Sequence, residues 1–224
     1  MQPLPVFVDA FCVAALLSLF AAANAHAADA ASIATQGNGR GAAACSACHG
    51  ADGGGMPSAG FPRLAGLNAA YLHKQINDFA SGSRVNAVMQ PIATALDNAE
   101  RQAVADYYSK LPIPAQPAAA ASAGSAPDGV GALLATRGRW SDHVPACEQC
   151  HGPGGVGVGE NFPPLAGQPA AYIKGQLKAW QDGTRKNDPL ELMRHLSTAL
   201  SAKDISAVAD WFAAQPAVSK GDQP

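Results

Sequence analysis

A chain of 224 residues has room for one or two domains, and a formal charge of −2 leaves no polybasic footprint of the kind nucleic-acid binders carry. Composition is rich in Ala and Gly, with 14% charged residues and few β-branched runs. Charge is balanced within each part too. Residues 28–112 carry six acidic and six basic side chains and residues 129–224 carry nine of each, so a docking patch for a partner has to come from local arrangement.

Residues 1–27 read as an export signal. Phe11 to Ala23 is an apolar run of the length of an h-region, and Ala25-His26-Ala27 supplies a small-x-small cleavage pattern, which puts the mature start at Ala28. The n-region departs from the pattern, having no Lys or Arg and carrying Asp9. Retention as an anchor is the alternative, although the run is short for spanning a bilayer. Cleavage would remove Cys12 and leave every remaining cysteine inside two motifs.

Those motifs are Cys45-Ser46-Ala47-Cys48-His49 and Cys147-Glu148-Gln149-Cys150-His151. C-x-x-C-H is the attachment signature of a c-type haem. One helical turn presents both thiols to the vinyl edge of a porphyrin, and the following imidazole falls under the iron. The axial donor then sets much of the iron's potential. Cys45, Cys48, Cys147 and Cys150 are therefore expected to fasten two covalently bound haem c groups, with His49 and His151 as proximal ligands. Other uses of C-x-x-C fit less well. A zinc cluster would draw both pairs into one four-ligand site, yet a proline-rich segment lies between them. A thioredoxin-like pair needs a βαβ setting, and a disulfide framework spreads its cysteines over irregular spacings. Covalent haem attachment to an exported apoprotein agrees with the signal and points to the periplasm.

Around the motifs the second half repeats the first. Phe61-Pro62-Arg63-Leu64-Ala65-Gly66 matches Phe162-Pro163-Pro164-Leu165-Ala166-Gly167. Tyr71 and Gln75 match Tyr172 and Gln176, Arg84 matches Arg185, and after three extra residues in the second copy Met89 falls on Met193. The repeat implies domains at 28–111 and 129–224, joined by a linker at 112–128 whose prolines at 112, 114, 117 and 127 break any helix. Its seventeen residues give the halves room to separate.

Each half reads as short helices between glycine- and proline-rich loops. Small residues before the motifs, Gly41–Ala44 and Gly131–Ala135, suit a closely packed N-terminal helix. Tyr71, Leu72, Ile76 and Phe79 share a helical face, as do Tyr172, Ile173, Leu177 and Trp180. The last helix of each half opens on a capping pattern, Asp97-x-x-Glu100 and Ser201-x-x-Asp204. It turns Val104, Tyr107, Tyr108 and Leu111, or Ile205, Val208, Trp211 and Phe212, toward the core as packing contacts. Domains this small bury little surface alone, so the haem is expected to complete the core and the apoprotein to be largely unfolded.

An electron carrier keeps both axial positions of its iron filled, and a thioether in the sixth position raises the potential. Met89 and Met193 occupy matched positions and are the expected sixth ligands; Met56, on the glycine loop, has no counterpart and reads as loop packing. His73, His143 and His195 do not recur between the halves, and His195 is the competitor in the second. A ligating His donates its other ring nitrogen to a carbonyl, for which Pro62 and Pro163 are the candidates. Arg84 and Arg185 either bind haem propionates or face solvent.

With these motifs the chain resembles the dihaem cytochromes c of the cytochrome c4 type, over both halves and all of the mature sequence except the linker. The resemblance rests on C-x-x-C-H-G at 45–50 and 147–152, on FPRLAG and FPPLAG, on Tyr-x-x-x-Gln at 71–75 and 172–176, and on Met89 and Met193. It implies an all-α fold of two tandem class I cytochrome c domains packed around covalent haem. Cys45, Cys48, His49 and Met89 would serve the first haem and Cys147, Cys150, His151 and Met193 the second. The implied function is a periplasmic electron carrier, not an enzyme, between respiratory-chain partners such as a quinol-oxidising complex and a terminal oxidase. Peripheral membrane association is compatible with that reading. Two alternatives stand beside it: a cytochrome subunit of a periplasmic dehydrogenase, and a dihaem peroxidase-like enzyme with one open iron. The long linker and the even charge of the halves depart from the family pattern.

Overall fold

The computed structural model describes residues 30–115, 126, 128–188 and 190–218. The expected export signal and most of the linker lie outside the described residues. Five helices form the first half: α1 (30–36), α2 (Ser46–His49), α3 (Ala69–Ser81), α4 (Met89–Ala95) and α5 (Asn98–Lys110). The second half repeats them as α6 (Val130–Thr136), α7 (Glu148–His151), α8 (Ala170–Gln181), α9 (Leu192–Thr198) and α10 (Ala202–Ala214). Among the described residues no strand forms, and β pairing is limited to isolated bridges such as Met56–Phe61 and Val158–Phe162. The fold is all-α, as the composition and periodicity suggest.

Local chemistry sets the helix ends. The Asn68 side chain accepts from the backbone N–H groups of Ala70 and Tyr71 to open α3, and Gly82 closes it in the left-handed region. Both expected capping boxes form: Asp97 with Glu100 on α5, and Ser201 with Asp204 on α10. The terminal helices pack as the repeat requires, α5 and α4 against α3, and α10 against α6 and α8, with α9 on α8. One helix lies elsewhere than the small-residue pattern suggests. Gly131–Ala135 falls within α6, but Gly41–Ala44 is irregular, and the first half's N-terminal helix is α1. Gly37, Gly39 and Gly41 all have positive φ and end the helix early.

Apolar residues gather into cores whose shape differs between the halves. In the second, Leu134, Val144, Ile173, Leu177, Trp180, Val208, Trp211 and Phe212 belong to one continuous cluster. In the first, Ala34, Leu67, Leu72, Ala105 and Tyr108 form one cluster while Ile33, Ala42, Leu96 and Val104 form another.

The room the linker gives is not used: the halves are docked. Backbone bonds cross the seam from Val85 N to Thr184 O and from Lys186 N to Ser83 O, each 2.8 Å, with Arg84 and Arg185 forming an antiparallel bridge between them. Such paired main-chain bonds between equivalent segments are what a pseudo-twofold arrangement of repeats produces.

Candidate haem centres

Each C-x-x-C-H motif forms one helical turn. Cys45 and Cys147 already have helical φ and ψ at the N-cap, and the N–H of His49 donates to Cys45 O (2.9 Å) as that of His151 does to Cys147 O (3.0 Å). Residues i, i+3 and i+4 of such a turn share a face, which brings both thiols and the imidazole together. The glycine after each His ends the turn. Gly50 and Gly152 pair φ of 81° and 76° with extended ψ, a region open only to glycine. A few residues on, Gly55 and Gly157 donate back to the carbonyls of His49 and His151. A Cβ at Gly55 or Gly157 would lie 2.7 Å from the backbone of Arg63 or Pro164, so glycine is what lets the FP-x-LAG loop close behind the histidine.

That closure fixes the imidazoles. His49 donates from Nδ1 to the Pro62 carbonyl at 2.9 Å, and His151 to the Pro163 carbonyl at 2.8 Å. Both rings are buried, with Phe61 and Phe162 beside them. Burial pushes the pKa of each imidazole below its ordinary value, although the proline carbonyls oppose this. A neutral ring with hydrogen on Nδ1 presents a lone pair at Nε2, the state a metal ligand needs.

Between the first half and α8 lies a cavity of about 530 Å³ lined by Cys45, Cys48, His49 and Met89, within the range of roughly 300–1,000 Å³ typical of cofactor pockets. Met89 opens α4, and its N–H is held by the Asn86 side chain at 2.9 Å. In the second half the N–H of Met193, near the start of α9, is held by Asp188, and its side chain packs against the same core as Cys147. His195, the competing ligand, points its Nδ1 at the Glu191 carbonyl and is exposed. His73 is engaged with Asn98, His143 is exposed, and Met56, 39% exposed, sits in the loop turn. Among the described residues no group of three or more His, Cys, Asp or Glu side chains converges as a zinc cluster would, and the four cysteines are unpaired.

The far wall of the cavity comes from both halves. Arg84 donates to Gln75 (3.0 Å), to the Tyr172 hydroxyl (3.0 Å) and to Gln176 (2.6 Å). Arg185 mirrors it with bonds to Gln176 (2.9 Å), Gln75 (3.1 Å) and Asn187 (3.0 Å). Each guanidinium also lies over an aromatic ring, Arg84 on Phe79 at 4.4 Å and Arg185 on Trp180 at 3.9 Å. Neither faces solvent. Burial and the like charge of Arg84 push Arg185 down from the usual arginine range. The side-chain acceptors of both guanidinium groups are neutral and Asp78 is the carboxylate that acts on Arg84, so the pair leaves a place for a further anion, and Trp180 Nε1 is buried without a hydrogen-bond partner. A macrocycle with an apolar body, two thiol-reactive vinyl groups on one edge and two carboxylates on the other meets every one of these features.

Sequence reasoning left three residues of this seam without a role. Gln168, Asn187 and Arg63 all bridge the halves. The signal available was departure from the repeat: Arg63 stands opposite Pro164, and Gln168 opposite Leu67.

Fold and site together define a c-type cytochrome with two covalently bound haem c groups, one per half. The family models agree, with Cytochrome c matching residues 34–112 and Cytochrome C oxidase, cbb3-type, subunit III matching residues 134–212. The chain belongs to the dihaem cytochrome c family that contains cytochrome c4, and it is an electron-transfer protein. Among its relatives, a thiosulfate dehydrogenase electron acceptor of Stutzerimonas stutzeri is 52% identical over 202 residues, covering 90% of this chain and 93% of that one. The crystal structure of reduced cytochrome c4 from Pseudomonas stutzeri superposes with a TM-score of 0.70 at 34% identity, over 77% of this chain and 93% of that one. A solved thiosulfate dehydrogenase (TsdBA) from Marichromatium purpuratum superposes with a TM-score of 0.77 at 42% identity, over 85% of this chain but 40% of that one.

Proposed function

We propose that this protein is a periplasmic carrier that accepts single electrons from a thiosulfate-oxidising dehydrogenase and passes them on, without itself catalysing thiosulfate oxidation. The observation that carries the donor assignment is the gap in likeness, 52% to an electron acceptor of thiosulfate dehydrogenase against 37% to a cytochrome c4. The likeness to part of a dehydrogenase chain supports it further, because a module of this shape there shares a polypeptide with additional protein. This is the electron-carrier reading of the sequence with a dehydrogenase as the donor and thiosulfate as the reductant, rather than the reading as a subunit of a dehydrogenase complex.

In this reading Cys45 and Cys48 hold the first haem and Cys147 and Cys150 the second. His49 and His151 would bind each iron from one side, and Met89 and Met193 would be the second ligands. Bound haem supplies one-electron ferric/ferrous chemistry. The chain's own residues tune and protect it. Pro62 and Pro163 orient the imidazoles, the methionines would keep oxygen and peroxide from a bound iron, and Arg84 and Arg185 would neutralise propionates, while the docked halves exclude water.

The test mixes oxidised holoprotein with the thiosulfate dehydrogenase of the same organism and thiosulfate in a stopped-flow spectrophotometer. Two haem equivalents per chain should be reduced, with none reduced when the dehydrogenase is omitted. If the cytochrome stays oxidised while ascorbate reduces both haems, the donor assignment fails. Loss of the thioether-to-iron charge-transfer band in Met89→Ala and in Met193→Ala checks the axial ligands separately.

A further inference from the structure

We propose that Gln168, in the second domain, is a positioning residue for the first haem: through the Pro62–Arg63 peptide it strengthens the hydrogen bond His49 donates, and so lowers the reduction potential of that haem alone. The inference rests on His49 being the proximal ligand. His49 Nδ1 donates to the Pro62 carbonyl at 2.9 Å. The N–H of that same peptide group belongs to Arg63, and it donates to Gln168 Oε1 at 3.1 Å across the seam. Gln168 Nε2 completes the pair by donating to the Arg63 carbonyl at 3.0 Å. Imidazole, peptide and side-chain amide therefore form one chain of hydrogen bonds.

Hydrogen bonds in series polarise one another. A peptide whose N–H is engaged carries more negative charge on its oxygen, and an imidazole donating to that oxygen becomes a more basic ligand. Stronger donation to iron favours the ferric state. Water cannot substitute for the amide, since Arg63 and Gln168 are 1% and 3% exposed.

The relay exists on one side only. His151 donates to Pro163 at 2.8 Å, but the next residue is Pro164, which has no N–H to engage. The position equivalent to Gln168 in the first half is Leu67, which has no amide to offer. The Arg63 guanidinium does not account for the difference. It donates to Ala65 O at 2.6 Å and to Ala166 O at 3.3 Å, equivalent carbonyls of the two loops, so its charge bears on both haems.

The test is a redox titration of the holoprotein followed by NMR of resolved haem methyl resonances, which assigns a potential to each haem. The variants are Gln168→Leu and Gln168→Met, the second keeping length without an amide. In both, the equilibrium between the haems should shift about threefold toward an electron on the first, a rise of about 28 mV at 59 mV per tenfold, with the second haem unchanged. A first haem that keeps its potential in both variants overturns the proposal. So does a joint shift of both haems, which is what loosened docking alone would produce. Hyperfine-shifted ring protons of His49 in the oxidised protein report its ligation independently, and no step uses the dehydrogenase, so failure of either earlier reading is told apart from failure of this one.

Discussion

The two halves share a plan and solve the small-domain problem differently. The second builds one continuous apolar cluster in which Trp180, Trp211 and Phe212 meet. The first splits its apolar residues into two smaller clusters beside a cavity lined by Leu72, Val104 and Tyr108. The second half thus carries more of its own packing, and the first depends more on the haem. A repeated sequence motif specifies the attachment chemistry but not how much of the surrounding core is protein.

The largest effect is expected from removing attachment in one half at a time. Replacing Cys45 and Cys48 by Ser should abolish amide protection across α3–α5. The same change at Cys147 and Cys150 should leave measurable protection in α8 and α10, and hydrogen exchange read by mass spectrometry compares the two. Equal collapse of both halves would erase the distinction.

A smaller effect comes from the cores themselves. Phe212 is almost fully buried, and Phe212→Ala should cost about 3–5 kcal/mol in denaturant unfolding of the holoprotein. Its repeat counterpart is Tyr108, whose phenol lies beside Cys45 and is pushed up by burial. Tyr108→Phe removes only that hydroxyl and should cost about 1 kcal/mol.

The last helix of each half is also held at its start by an ion pair. In each half an arginine before the haem motif reaches the acidic residue of the capping box, Arg139 to Asp204 at 2.9 Å and Arg40 to Glu100 at 2.6 Å. The hydrogen bonds from Arg139 hold the Asp204 carboxyl well below the usual carboxylate range. A carboxylate depressed in the folded state adds stability that is complete above its unfolded value of about 4 and is lost as pH falls toward the folded value. Stability of the second half should therefore decline on acidification below about pH 4. Asp204→Asn should remove about 1–2 kcal/mol at pH 7 and flatten that acid limb in a pH series of melts. Arg40 is exposed, so Arg40→Ala should leave the unfolding midpoint within experimental error, the smallest effect of the set.

Much of the site was legible without coordinates because it is local. Cys-x-x-Cys-His needs one helical turn, Asp97 and Ser201 cap helices three residues away, and the carbonyls of Pro62 and Pro163 follow from a loop that returns at a matched interval. Helical spacing likewise pointed to the buried faces of α3 and α8. The first half's N-terminal helix lies ahead of the Gly41–Ala44 stretch because small residues suit a packed helix and a glycine loop equally, and positive φ at Gly37, Gly39 and Gly41 favours the loop.

The two haems follow from the sequence alone, and so do the motifs proposed to fasten them and the side chains proposed as their ligands, since these depend on contacts a few residues apart and on exact repetition. Tertiary structure alone decided that the halves dock, that Arg84 and Arg185 lie buried in a shared seam, and that Gln168 reaches the peptide behind His49. The reason is physical. A hydrogen bond between residues 105 apart leaves no trace in local pattern, and its strength depends on the exclusion of water that only the assembled interface provides.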